Sequence, residues 1–96
     1  MQDTLETQAT LVEKEVIPTL HFKHVAKHNY SKELHEKLKE ATTLGNLHHG
    51  KCAIIFEDEG GLKRVETTVW ATGAKYICLK GGIWLPISCI HEVRFL

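Results

Sequence analysis

Neither sign of charge is in excess in this chain. Twelve basic residues are matched by twelve acidic ones, a formal net charge of zero with the histidines neutral. No overall field therefore attracts a phosphate backbone, which disfavours nucleic acid as a partner without excluding it. A run of apolar residues long enough to span a bilayer is also missing, and the acidic opening MQDTLETQATLVEKEV lacks the apolar core of a secretory signal. Cysteine is scarce: Cys52, Cys78 and Cys89 are an odd number in no close-spaced pair, and two of them fall inside apolar strand runs. That pattern fits buried free thiols in a reducing compartment, so a cytoplasmic protein with no membrane partner is expected. Catalytic signatures are lacking too. There is no nucleophile elbow, no phosphate-cradling glycine loop and no carboxylate pair set in an apolar run, and Gly60-Gly61 and Gly81-Gly82 read as turns. Neither an enzyme nor a cofactor is expected.

What the chain does have is a stretch from Val65 to Leu85, VETTVWATGAKYICLKGGIWL, rich in the β-branched and aromatic residues that suit a pleated, half-buried surface. It reads as three strands joined by two tight turns, with Gly73-Ala74 and Gly81-Gly82 as their central pairs. In that register Trp70 faces Ile77 and Leu79 faces Trp84. One face then gathers Thr68, Trp70, Ile77, Leu79 and Trp84, and the other Val65, Val69, Ala71, Tyr76, Cys78, Ile83 and Leu85. Both faces are apolar, so each needs a cover. A single bulge exchanges the two sets.

At 96 residues the chain makes one domain. Residues 1–30 read as an N-terminal arm and helical segment. Leu5, Ala9, Val12 and Val16 form a weak helical stripe, and Ile17–His28 fits either a helix, which is favoured, or a short strand. Residues 31–96 read as a helix followed by five strands. The helix, SKELHEKLKEATTLG, turns Leu34, Leu38 and Ala41 inward and stops at Gly45. Strands follow from Gly50 to Phe56, from Leu62 onward and through the Val65–Leu85 stretch. Pro86-Ile87-Ser88-Cys89 then forms a single tight helical turn before a last strand, Ile90–Phe95. The expected fold class is α+β, with an N-terminal helix or helices before a small five-stranded antiparallel barrel whose first and last strands are neighbours.

This order of elements, over Ser31 to Leu96, resembles the Sm-like and SH3-like small barrels. It departs from the Sm pattern in having no Asp and Asn pair around the second and third strands and no Arg-Gly near the fourth. The phrases LGNLHHGK, VETTVWAT and LKGGIWLPISCI also resemble a family of short uncharacterised Bacteroidetes proteins, which implies no activity to carry over.

Seven histidines are the one compositional excess. His24 and His28, four residues apart, could chelate a metal from one helix edge, although no carboxylate or cysteine nearby completes a tetrahedral set. A second candidate set is His49 and Cys52 with Cys89 and His91, which would converge if the first and last strands brought the two pairs together. Against it, Cys52 alternates with Ile54 and Phe56 as a core residue would. Trp70, Tyr76 and Trp84 are the candidate partner-binding residues, as a stacking platform for single-stranded nucleic acid or a peptide, or as a packing cluster at a seam between copies. Lys51, Arg64, Lys75 and Lys80 could contact phosphates, opposed by the acidic Glu57-Asp58-Glu59 loop. The resulting expectation is a non-catalytic interaction or regulatory module that associates with itself or with a protein partner. The alternatives are an Sm-like RNA-binding barrel and a histidine-based metal-binding protein.

Overall fold

The computed structural model describes residues 8–22 and 32–96. Lys32–His48 forms the helix α1, in which Leu34, Leu38, Ala41 and Gly45 recur at spacings of four, three and four and so share one face. Leu38, Ala41 and Gly45 are buried on that face. The helix lies chiefly against β4 (Val69–Thr72) and also against β7 (Ile90–Phe95). It continues past Gly45, the expected stop, to His48, and His49 follows in the left-handed region at φ 54°. Gly45 is glycine for another reason. A Cβ built there would stand 2.5 Å from the Val69 carbonyl oxygen and 2.7 Å from the Thr68 methyl, so only glycine lets helix and strand approach this closely.

The remaining strands are β1 (Thr10–Leu11), β2 (Cys52–Asp58), β3 (Gly61–Thr67), β5 (Tyr76–Leu79) and β6 (Ile83–Pro86). They make two sheets, one of four strands ordered β1-β3-β2-β7 and one of three ordered β4-β5-β6. The chain passes between the sheets at Thr68, which is buried and accepts a hydrogen bond from the Lys80 amide at 2.9 Å. The α+β class stands, but the expected barrel of five strands after an N-terminal helix does not. Seven described strands form two unclosed sheets, and the helix is in the middle of the chain. Closure would need β4 or β6, the edges of the three-stranded sheet, to pair with the four-stranded sheet, and neither does. Helix α1 lies along β4, and a 3-10 helix, Lys14–Thr19, lies along β6.

That 3-10 helix belongs to an arm that the sequence suggested was helical or frayed. Thr10 and Leu11 instead pair in parallel with Lys63 and Arg64, Ile17 is 1% exposed within the core, and the Glu59 amide donates to the His21 carbonyl at 3.0 Å. Phe22 meets Phe56 with ring centroids 6.0 Å apart. The rest of the Ile17–His28 segment, with the candidate ligands His24 and His28, lies outside the described residues.

The last elements follow the sequence closely. Pro86 leads into a 3-10 turn, Ile87–Cys89, and β7 spans Ile90–Phe95. Phe56, Ile77, Leu79, Leu85, Ile87 and Ile90 fill the space between the sheets together with Leu38 and Ile17. Among the described residues no helix is long and apolar enough to cross a membrane.

Candidate functional site

Two turns decide which side chains leave the core. Gly73 donates its amide to the Tyr76 carbonyl at 2.8 Å, so the β4–β5 loop is Ala74-Lys75 and the pairing runs Thr72 to Ile77 and Ala71 to Cys78. A bulge then falls at Trp70, because Val69 pairs with Leu79. The β5–β6 loop has three residues, Lys80-Gly81-Gly82, with Gly81 and Gly82 at φ 93° and 82°, and Leu79 therefore faces Ile83. These shifts overturn the expected register, in which Trp70 faced Ile77 and Trp84 faced Leu79. Trp84 instead stands opposite Cys78, and Tyr76 opposite Pro86.

Val69, Ile77, Leu79 and Leu85 consequently point into the core, while Trp70, Tyr76 and Trp84 come out together on the far side of the sheet. Their exposures are 46%, 49% and 58%. The expected division, with both tryptophans on one face and the tyrosine on the other, is replaced by one aromatic face. Tyr76 and Trp84 sit diagonally on adjacent strands, a relation that usually separates Cα atoms by roughly 7–8 Å and lets large rings cooperate. The bulge at Trp70 turns two successive residues, Trp70 and Ala71, outward.

The outer face of the other sheet is built on a different plan. Ala53 and Ile55 of β2 are fully buried although they point away from the main core. Across the ladders they are flanked by Glu66 and Arg94, and by Arg64 and Glu92. Arg64 pairs with Glu66, and Arg94 with Glu92 at 2.8 Å, so the aliphatic stems cover the two apolar residues while the charged ends neutralise one another. Among the described residues no ion pair comparable to these involves the strands that carry Trp70 and Trp84.

Beside the aromatic face runs an open groove of about 800 Å³. Tyr76, Trp84 and Pro86 form one wall, and Ile17, Pro18, Leu20 and Phe22 of the arm form the other. Lys75 and Ser88 complete its lining. The arm wall could not be read from the sequence, because its contact with β6 joins residues some seventy positions apart. The Gly81-Gly82 doublet was a usable signal for the loop, but a two-residue and a three-residue turn both accommodate it.

The candidate metal ligands are not brought together. Cys52 pairs with Thr67 and Phe95 at the start of β2, whereas Cys89 precedes Ile90, the partner of Phe56 near the end of β2. Four residues of strand separate the two ends by roughly 13 Å. The antiparallel pairing thus holds Cys89 and His91 away from Cys52 and His49. His91 Nε2 instead meets Glu57 Oε1 at 2.9 Å, and no group of three metal-capable side chains occurs among the described residues. Burial pushes the Cys52 thiol up to about 11. Cys89 is also raised, by burial first and then by Glu57 and Asp58, against a hydrogen bond with Ser88. Both shifts oppose formation of a reactive thiolate.

No protein-family model, curated protein or solved structure matches this chain.

Proposed function

We propose that this chain is a non-catalytic interaction module that holds a protein partner against the outer face of its three-stranded sheet. One observation carries this reading: Trp70, Tyr76 and Trp84 leave the core on a single face and remain about half exposed. An apolar cluster of this kind, left about half exposed and rimmed by polar residues, is characteristic of a binding surface. The opposite sheet supports the reading by contrast, since its outer apolar residues are covered by paired arginines and glutamates. A module rather than an enzyme is favoured by the raised thiols of Cys52 and Cys89, which lack nucleophilic activation.

The test compares stability with binding. Exposed residues retained for a partner contribute little to the fold, so Trp84→Thr and Trp70→Thr should alter unfolding free energy by no more than about 0.5 kcal/mol. A loss above about 2 kcal/mol for either would make the indoles structural, and the reading would fall. A second copy of the chain is an alternative occupant, and light scattering at low and high protein concentration reveals it.

A further inference from the structure

The groove beside the aromatic face has a charge pattern that narrows its occupant. Between Val69 and Ile90 the chain contains two charged residues, Lys75 and Lys80, and no carboxylate. Among the described lining residues Lys75 is the one that carries a charge, and its ammonium makes no ion pair with any described residue. The carboxylates of the four-stranded sheet are engaged elsewhere: Asp58 with Lys63, Glu66 with Arg64, Glu92 with Arg94, and Glu57 with His91. On the arm, Glu15 is held by Lys14 at 3.0 Å, and Glu13 is exposed but does not line the groove.

Resting on the reading of this face as a partner surface, we infer that the groove binds an extended segment of a protein partner. That segment carries apolar side chains with an Asp or Glu beside them. The apolar side chains lie between the Tyr76–Trp84 wall and the Pro18–Leu20 wall, and the carboxylate meets Lys75. Each feature of the site selects this chemistry. Facing apolar walls remove side chains from water, and a single unpaired ammonium at the edge sets the direction of the segment. A small molecule fits less well, because an open groove leaves exposed the surface that a small ligand must bury. Single-stranded nucleic acid needs cations tracking its backbone, and the described lining offers one. A symmetric second copy would bring the lysines of this face toward one another, and the strands and turns from Val69 to Ile90 carry no carboxylate to offset them.

The experiment pans a displayed library of short random peptides on the full chain and, in parallel, on Trp84→Ala. Enriched peptides are then resynthesised and their binding followed by fluorescence anisotropy. The expected result is a set of apolar sequences with an acidic residue at a recurrent position, weakened roughly tenfold or more by Trp84→Ala, as loss of a central aromatic anchor does. Lys75→Glu should reverse the charge preference, selecting basic in place of acidic peptides. Both positions are exposed, and circular dichroism confirms that each variant is folded. Enrichment without an acidic bias, or a bias that Lys75→Glu leaves unchanged, overturns the inference. So does enrichment equal on wild type and Trp84→Ala. Two further arms separate this failure from failure of the underlying reading. Salt-sensitive binding of oligouridylate, or self-association, abolished in either case by Trp84→Ala, keeps the face as a contact surface and removes the peptide. If peptides, oligouridylate and high protein concentration all leave the tryptophans equally open to acrylamide quenching, the face is not a partner surface and both readings fall.

Discussion

Thr42 of the helix and Thr72 of β4 meet with their hydroxyl oxygens 2.6 Å apart, and both lie close to the Leu38 carbonyl, at 3.0 and 3.1 Å. Each hydroxyl has one proton to donate. One proton therefore closes the bond between the threonines and the other goes to the carbonyl. This half-buried relay fixes α1 over the strand that carries Trp70. Thr72→Val should destabilise the protein by about 1 kcal/mol, the usual net value of a hydrogen bond. Leu38→Ala, beneath the relay, should cost about 2–5 kcal/mol. Urea titration measures both, and a Leu38→Ala loss under half a kcal/mol would mean that the helix is only appended to the sheets.

Gly45→Ala sets helix propensity against packing. Propensity alone favours alanine by about 1 kcal/mol in a helix interior. The new methyl would lie 2.5 Å from the Val69 carbonyl oxygen, which is backbone and cannot swing away. Overpacking of this kind typically costs about 1–3 kcal/mol, so we expect net destabilisation. A stabilised variant in thermal unfolding would show that α1 and β4 are not in such close contact.

Ile17→Ala tests the arm. Its side chain is fully enclosed among core residues, in a segment whose sequence is polar and weakly patterned. Loss of a buried isoleucine should cost about 2–5 kcal/mol, comparable to a residue from the centre of a strand. Val16→Ala, one position away and exposed, provides the control and should be nearly silent. Equal, small effects at both positions would mean that the arm does not seal the core.

Alkaline pH should weaken the fold through its thiols. Cys52 has its pKa raised from 9.0 to about 11 by burial. Below pH 9 the thiol is neutral in both states, and its stabilising effect relative to the ionised form is fully present. As pH rises from 9 toward 11 the unfolded chain ionises first, which draws the equilibrium toward unfolding; the raised Cys89 acts in the same direction. The loss attributable to Cys52 should reach about 2 kcal/mol at the top of that window. Denaturant midpoints measured across it should fall more steeply for the native chain than for Cys52→Ala, which has nothing to ionise. Parallel slopes would place Cys52 in contact with water.

The chain's local patterns were sufficient for several elements. Cys52–Phe56 is an unbroken apolar run that marks a strand covered on both faces, and β2 is one. The α1 stripe of Leu34, Leu38 and Ala41 sets its inward face by periodicity, and Pro86 announces the short turn before β7. The end of the helix differs from its expected stop because Gly45 has two physical uses. It can stop a helix, or it can admit a neighbouring backbone, and only the position of Val69 distinguishes them.

The same division holds at the candidate site. The sequence by itself determined that Trp70, Tyr76 and Trp84 lie on neighbouring strands joined by tight turns, and that Lys75 and Lys80 are the charges among them. Which way the rings point was decided by one bulge and one additional loop residue, since side chains alternate with a period of two and a shift of one residue reverses a strand's faces. Whether the sheets close into a barrel, and whether the aromatic face borders a groove, depended on where the arm comes to rest. Contacts between segments as far apart as the Lys14–Thr19 helix and β6 follow from the global balance of buried surface, to which no short stretch of sequence has access.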